Sequence, residues 1–474
     1  MKRMRMETIS FGTDGWRATL AEFTTPRVRM VGQAVATYLA DEEHDRPVVI
    51  GYDARETSRG FAEELARVLC ANGIDVLVPE RDRPTPLVAH AIVERDLAGG
   101  LAITASHNPP EYNGVKFIPG DGAPALPEVT DAIADRLAEP DPLPEDQHGS
   151  VQEVDLATPH ADTVFELVAS LTDAGENGDF DLSSAELTVA YDAMHGSGRG
   201  TTDAVLERAG LAVDCLRCDR DPEFGGGAPE PAPENLEELI DRVTNGDADL
   251  GIANDGDADR IAIVTPDRGY LDENLFFAAL YDYLLEDAEG SAVRTVSTTY
   301  LIDRVAEAHG ASVREVPVGF KWVAEAMADG DALVGGEESG GFTIRGHVRE
   351  KDGVLMALLA AAMHAEEPLD ERVDRLLEDH GTVVQDKISV ACPDHEKTRV
   401  IDDLGDGIPD AVAGTEVETV NTDDGFKLLL SDGSWLLVRP SGTEPVLRVY
   451  AEATDEKRVG ELLEAGEQLV EPLV

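Results

Sequence analysis

Short apolar runs of the length that fills a buried strand recur along this chain, each followed by a stretch of helical period. Pro47 to Asp53 (PVVIGYD) is one such run. The helix-period segment Gly60 to Asn72 follows it, then a further strand at Asp75 to Val78. The pattern returns at Leu187 to Asp192, with a helix from about Thr202 to Ala209 and a strand at Ala212 to Leu216. It returns again at Ala292 to Ser297, Ile302 to His309 and Ser312 to Val316. This alternation predicts βαβ units in mixed, mostly parallel sheets. A second apolar run closes each copy, at Leu101 to Ile103, Leu250 to Ala253 and Ala332 to Val334. Ligands of open α/β sheets bind beyond the carboxyl ends of strands, so the loops leaving these three runs are where chemistry is expected.

From Thr382 the repeat stops. Val383 to Val390, Thr415 to Thr419, Lys427 to Leu430, Trp435 to Arg439 and Leu447 to Glu452 read as strands before a closing helix. The acidic, Pro-rich stretch Glu139 to Ser150, the Thr265-Pro266 region and the neighbourhood of Asp379-His380-Gly381 read as linkers. The expected organisation is three similar mixed-sheet α/β domains at 1–150, 151–265 and 266–380, then a smaller α+β domain at 381–474.

Composition narrows the partners. With 42% apolar residues among 474 there is ample material for several cores, and no run reaches the roughly 18 apolar residues of a membrane span. The start, MKRMRMETISFGTDGWR, has basic residues with no apolar stretch after them, so no signal peptide is expected and the location is read as cytoplasmic. The balance of 95 acidic against 39 basic residues, a net charge of −56, argues against nucleic acid and anionic membrane surfaces as partners. It fits a halophile's cytosol, where molar salt shortens the Debye length to about 3 Å; the alternatives are an unusually acidic mesophilic protein or one with an acidic tail, and the charge is spread along the chain, not pooled in one block. Only eight lysines remain, and Lys116, Lys321 and Lys351 fall inside or beside the loops of interest. The four cysteines, Cys70, Cys215, Cys218 and Cys392, include one C-x-x-C with no second pair or nearby histidine, which suits a reducing compartment without a disulfide framework.

Four motifs then stand out. Thr104-Ala105-Ser106-His107-Asn108-Pro109 puts a hydroxyl at the end of a buried strand. A serine is a poor nucleophile without a base or metal, and the chain has neither G-x-S-x-G nor a P-loop. Lys116 follows ten residues on and could return a cation to the same pocket. Asp255, Asp257 and Asp259 alternate along an extended segment that Gly256 allows to bend, a hard-oxygen set suited to Mg²⁺ or Ca²⁺. An EF-hand fails, because Arg260 and Pro266 occupy its glycine and glutamate positions. A solvated acidic loop is the bland alternative, and the apolar runs on both sides count against it. Gly336-Glu337-Glu338-Ser339-Gly340-Gly341 offers hydroxyl-binding groups. Arg439-Pro440-Ser441-Gly442-Thr443-Glu444-Pro445, with Arg448 nearby, is a compact anion cradle. The turn His195-Gly196-Ser197-Gly198 is read as packing.

Together with Gly12-Thr13-Asp14-Gly15-Trp16-Arg17, Phe224-Gly225-Gly226 and Pro229-Glu230-Pro231, these motifs resemble the α-D-phosphohexomutase family of phosphoglucomutases and phosphomannomutases over essentially the whole chain. The resemblance implies four domains around one central cleft, Mg²⁺, and a resting enzyme phosphorylated on Ser106. Ser106 would pass its phosphoryl group to a hexose phosphate, and the hexose 1,6-bisphosphate, intermediate and activator, would turn over and return the other. Asp255, Asp257 and Asp259 would hold a Mg²⁺ that also touches Ser106. Glu337 and Ser339 would bind sugar hydroxyls, with Lys321 among the substrate contacts. Arg439, Ser441, Gly442, Thr443 and Arg448 would grip the idle phosphate, and Arg17 and Arg260 would join the catalytic set.

One position departs from the family. Bacterial dual-specificity and glucosamine-phosphate mutases carry histidine where this chain has Gly341. Gly346-His347-Val348-Arg349-Glu350-Lys351-Asp352-Gly353 instead resembles the glucose-specific members, as does Glu-Glu-Ser. The general acid/base stays open among His347, Lys351 and Lys116. Phosphoglucomutase is the expected activity, with phosphomannomutase and phosphoglucosamine mutase as alternatives. A metal-dependent sugar-phosphate phosphatase is the alternative from another class, and a sugar-phosphate sensor has no use for the nucleophile. Monomer and dimer both remain open.

Overall fold

The computed structural model of the protein describes residues 9, 11–12, 15–172, 180–442 and 444–474. Four sheets follow one another along the chain, three of them mixed and the last antiparallel. The first sheet runs Trp16–Thr19, Tyr112–Pro119, Gly99–Ile103, Val48–Tyr52, Val76–Pro79, Val151–Val154. Strands Val48–Tyr52 and Gly99–Ile103 are buried throughout, as apolar runs flanked by helices on both faces must be. The second and third domains reuse the plan. Thr188–Asp192 is parallel to Ala212–Leu216 and Leu250–Asn254. Ser291–Thr295 is parallel to Val313–Val316 and Ala332–Gly336.

Each mixed sheet is parallel on one side only. Gly99–Ile103, Leu250–Asn254 and Ala332–Gly336 each turn back into an antiparallel neighbour, at Tyr112–Pro119, Ile261–Thr265 and Phe342–Ile344. Trp435–Pro440 does the same with Val446–Ala453 in the fourth sheet. All four motif loops are therefore connections between adjacent antiparallel strands. Their ends are held by the Ile103–Val115, Asn254–Ile261, Gly336–Phe342 and Pro440–Leu447 pairings.

Two features were not visible as patterns. Val151–Val154 adds to the first sheet beside Val76–Pro79, beyond the limit expected at residue 150. Three of its four residues are exposed, so no apolar alternation marks it. The helix Gly353–Glu366 is buried on every side from Gly353 to His364, which erases the amphipathic period. It packs against the helices Ala157–Leu171 and Thr202–Arg208 and the strand Leu250–Asn254, so the third domain's chain fills the core beneath the second sheet. No helix among the described residues is long and apolar enough to cross a membrane.

Candidate active site

Ser106 lies in the turn after Gly99–Ile103, wholly buried, with a left-handed φ of +49°. A non-glycine residue holds that conformation only where its surroundings enforce it. Here Arg55 does so. Its Nη2 donates to the carbonyls of Ser106 at 2.8 Å and Asn108 at 2.6 Å, and its Nη1 to those of Pro109 at 2.7 Å and Tyr112 at 3.2 Å. Nε donates to Asp53 at 2.9 Å, so all five guanidinium N–H groups are spent. The Phe224 ring of the second domain lies 5.0 Å from the same guanidinium. Sequence reasoning passed over Arg55; a charged Asp53-x-Arg55 at the exit of a fully buried strand was the available signal.

The second loop closes directly on the first. Ser106 Oγ donates to Asp255 Oδ2 at 2.7 Å, and Gly256 comes so near that an added Cβ would lie 2.7 Å from the Ser106 carbonyl. His107 Nδ1 lies 3.2 Å from the same hydroxyl, but Arg260 and burial push its imidazole down to about 2, so it stays neutral. The His195–Gly198 turn supports the loop from below, where Ser197 donates its backbone N–H to Gly256 at 3.0 Å. Asp255, Asp257 and Asp259 are all buried, and one carboxylate oxygen of each lies within 4.8 Å of the others. Asp257 Oδ1 and Asp259 Oδ1 are buried without a hydrogen-bond partner among the described residues. Converging hard oxygens with unmet acceptors fit a small divalent cation. Burial first, then Asp259 and Asp257, pushes the Asp255 carboxyl well up, as expected of like charges crowded together. Burial also raises Asp259, but Lys351, Lys116 and Arg260 outweigh it and hold that carboxyl well below the usual range.

Cations from two domains meet at this cluster. Lys116 Nζ is 3.1 Å from Asp259 Oδ2 and 3.6 Å from Asp257 Oδ2, and Lys351 Nζ is 2.9 Å from Asp259 Oδ2. Thr85 Oγ1 donates to Asp257 Oδ2 at 2.6 Å. Arg260 Nε lies 4.0 Å from Asp259 Oδ1, and Arg17 Nη1 donates to Asn108 Oδ1 at 3.3 Å. Gly341 proves to be a passage for Lys351: a Cβ there would meet the lysine Cδ at 2.3 Å. His347 goes elsewhere. Its side chain is buried and its Nε2 lies 2.7 Å from Asp352 Oδ2.

Of the sugar-loop candidates, Glu337 is buried and accepts the Gly319 backbone N–H at 3.0 Å, while Ser339 is half-buried beside it. Burial raises the Glu337 carboxyl. Gly340 accepts the Ile261 backbone N–H at 2.9 Å, which ties this loop to the strand leaving the aspartate loop. Lys321 Nζ lies 5.6 Å from the Trp322 ring. In the fourth loop Arg439 Nε donates to Asp424 at 2.8 Å, and Asp424 also accepts from the Val318 backbone, linking the cradle to the third domain. Arg448 is engaged by Glu444, Gly442 is exposed, and Thr443 lies outside the described residues. Lys397, another of the few lysines, holds the cradle's shape by donating to the Ser441 carbonyl at 2.6 Å and the Glu444 carbonyl at 2.5 Å. Cys215 and Cys218 meet Asp203, but burial pushes both thiols up, which leaves them poor thiolate donors.

Comparison with known proteins gives the family of the chain. Family models described as "Phosphoglucomutase/phosphomannomutase" match in four parts: domain I at 8–143, domain II at 170–269, domain III at 272–380 and the C-terminal domain at 388–467. A "Phosphoglucomutase/phosphomannomutase" of Thermococcus kodakarensis is 30% identical over 97% of this chain and 98% of its own. A "Phosphopentomutase" of the same organism is 33% identical over 98% of each chain. A crystal structure from Thermus thermophilus, provisionally named phosphomannomutase, superposes with a TM-score of 0.83 at 31% identity, covering 98% of this chain and 99% of that one.

Proposed function

The chain belongs to the phosphoglucomutase/phosphomannomutase family of intramolecular phosphoryl-transfer enzymes, and from that premise we propose that it interconverts glucose 1-phosphate and glucose 6-phosphate. The observation that carries the reading is the Ser106 hydroxyl at 2.7 Å from Asp255, within a three-carboxylate cluster answered by two lysines. Ser106 holds the phosphoryl group. Transfer breaks its Oγ–P bond and forms an O–P bond at the sugar; the ammonium of Lys351 or Lys116 gives a proton to the departing Ser106 oxygen and takes the sugar hydroxyl's proton in its place, so that Ser106 ends as a free hydroxyl. The bisphosphate then turns over in the cleft and returns its other phosphoryl group to Ser106. Asp255, Asp257 and Asp259 would hold Mg²⁺, which when bound neutralises phosphoryl charge. Arg17 and Arg260 flank the reacting oxygens, Glu337, Ser339 and Lys321 face the sugar, and Arg439, Ser441, Gly442, Thr443 and Arg448 hold the idle phosphate. Positioning and charge neutralisation are what phosphoryl transfer asks of a protein. Glucose is preferred here because Gly341 leaves the lysine route open and the Glu337-Glu338-Ser339 loop matches the glucose-using pattern.

A coupled assay in concentrated KCl with Mg²⁺ and a trace of glucose 1,6-bisphosphate tests this. It should compare the 1-phosphates of glucose, mannose and glucosamine, and of a pentose, given the phosphopentomutase relative. Glucose 1-phosphate is expected to give the highest kcat/KM. A higher value for another sugar reassigns the substrate, and phosphate release without isomerisation identifies a phosphatase.

We also read the −56 charge as an adaptation to a salt-rich cytoplasm. Below about 0.05 M salt the Debye length exceeds 10 Å and self-repulsion acts across whole domains. Fold and activity should be lost on dialysis to low salt and kept in molar KCl. A melting temperature that does not change across that range removes the idea.

A further inference from the structure

The histidine that the sequence offers as a proton carrier is half of a buried clasp. Asp352 accepts at a single oxygen, Oδ2, from His160 Nε2 at 2.6 Å and His347 Nε2 at 2.7 Å. All three side chains are fully buried. The other oxygen, Oδ1, accepts from the backbone N–H groups of Val354 and Leu355, both at 2.9 Å, and so caps the central helix. The Asp352 backbone N–H donates to Phe342 of the third sheet, and that of Gly353 to Ala258 within the aspartate loop. Through its carboxylate Asp352 thus joins the helix Ala157–Leu171, the His347 loop and the start of the central helix, and through its backbone N–H the third sheet. The residue before it is Lys351, whose ammonium reaches Asp259 at 2.9 Å.

Burial alone would push the Asp352 carboxyl up, yet the two imidazoles outweigh it and hold it well below the usual carboxylate range. His90 completes the surroundings, its ring centroid 6.3 Å from that of His347 and 5.4 Å from that of His160. Buried charge contributes little to stability compared with well-packed apolar groups. Its placement next to Lys351 therefore calls for another account.

We propose that Asp352, clasped by His160 and His347, is a positioning residue of the phosphoryl-transfer reaction: it fixes the backbone from which Lys351 reaches the aspartate cluster. The inference rests on the reading of Lys351 as a group of that reaction and adds what aims it. Lys351 extends past Gly341 with no room to spare, so a small shift of its backbone takes the ammonium out of hydrogen-bond range.

The test uses the full-length enzyme in KCl and Mg²⁺ with the variants Asp352→Asn, His160→Ala, His160→Gln and Lys351→Ala. Asp352→Asn should lower kcat about 100-fold, the cost of misplacing a reacting group by roughly an ångström, with little change in KM. His160→Gln keeps an N–H donor near the Nε2 position and should recover most of the rate that His160→Ala loses. The His160 pair leaves the helix cap intact and reports on the clasp even if Asp352→Asn does not fold. The double variant Asp352→Asn with Lys351→Ala should be no slower than Lys351→Ala alone, because the two act as a unit. Additive losses, or equal rates for His160→Gln and His160→Ala, overturn the proposal. If Lys351→Ala turns over like wild type, the catalytic reading itself is wrong. If Lys351→Ala is slow while Asp352→Asn is as fast as wild type, the clasp alone is wrong.

Discussion

Replacing Ser106 by alanine should leave a folded protein that no longer turns sugar phosphate over, and the unmodified enzyme should carry a phosphoryl group on the peptide spanning Thr104 to Asn108. The expected loss is on the order of 10⁴-fold or more, as when a covalent nucleophile is removed from other enzymes. The fold should survive. Arg55 binds the loop through backbone carbonyls, which the substitution leaves in place. Asp255 Oδ2 loses one donor while Oδ1 keeps the Arg260 N–H, a cost of about 1–3 kcal/mol. Sugar-phosphate binding should persist too, since Arg439 is in another domain. Intact-mass measurement, denaturant unfolding and the mutase assay separate these effects. A variant free of wild type that keeps more than about a tenth of the activity rules out a phosphoserine mechanism.

The second large effect is expected at Lys351. Its removal to alanine should lower kcat by roughly 10²–10⁴-fold, the usual worth of general acid–base catalysis. Phosphoserine should persist in that variant, because Ser106 and the aspartates are untouched and Lys116 still answers Asp259 at 3.1 Å. A wild-type rate would transfer the role to Lys116. His347→Ala should cost less, since that ring meets Asp352 and not the aspartate cluster.

The sequence disclosed what is written in short-range patterns. Gly99–Ile103, Leu250–Asn254 and Ala332–Gly336 announce themselves as apolar runs with polar exits, and each exit loop carries its motif. What escaped depends on distance along the chain or on burial that flattens the pattern. His160 and Asp352 are 192 positions apart and meet only in the fold. Arg55 reaches residues more than 50 positions away, so nothing local ties it to Ser106. His347 and Lys351 lie in one short loop, and only its backbone course decides that one faces a carboxylate clasp and the other the aspartates. The central helix Gly353–Glu366 has no polar face to betray its period.

That helix also dictates an order of events during synthesis. The chain leaves the ribosome from its N-terminus, so the second sheet is complete once Gly269–Leu271 has emerged, while the helix that covers its inner face is still unmade. Until residue 366 is released, strands Leu250–Asn254 and Ile261–Thr265 must wait with apolar surface uncovered. A truncated fragment ending between the two would keep that exposure permanently, so the second and third domains form one unit of production and of quality control.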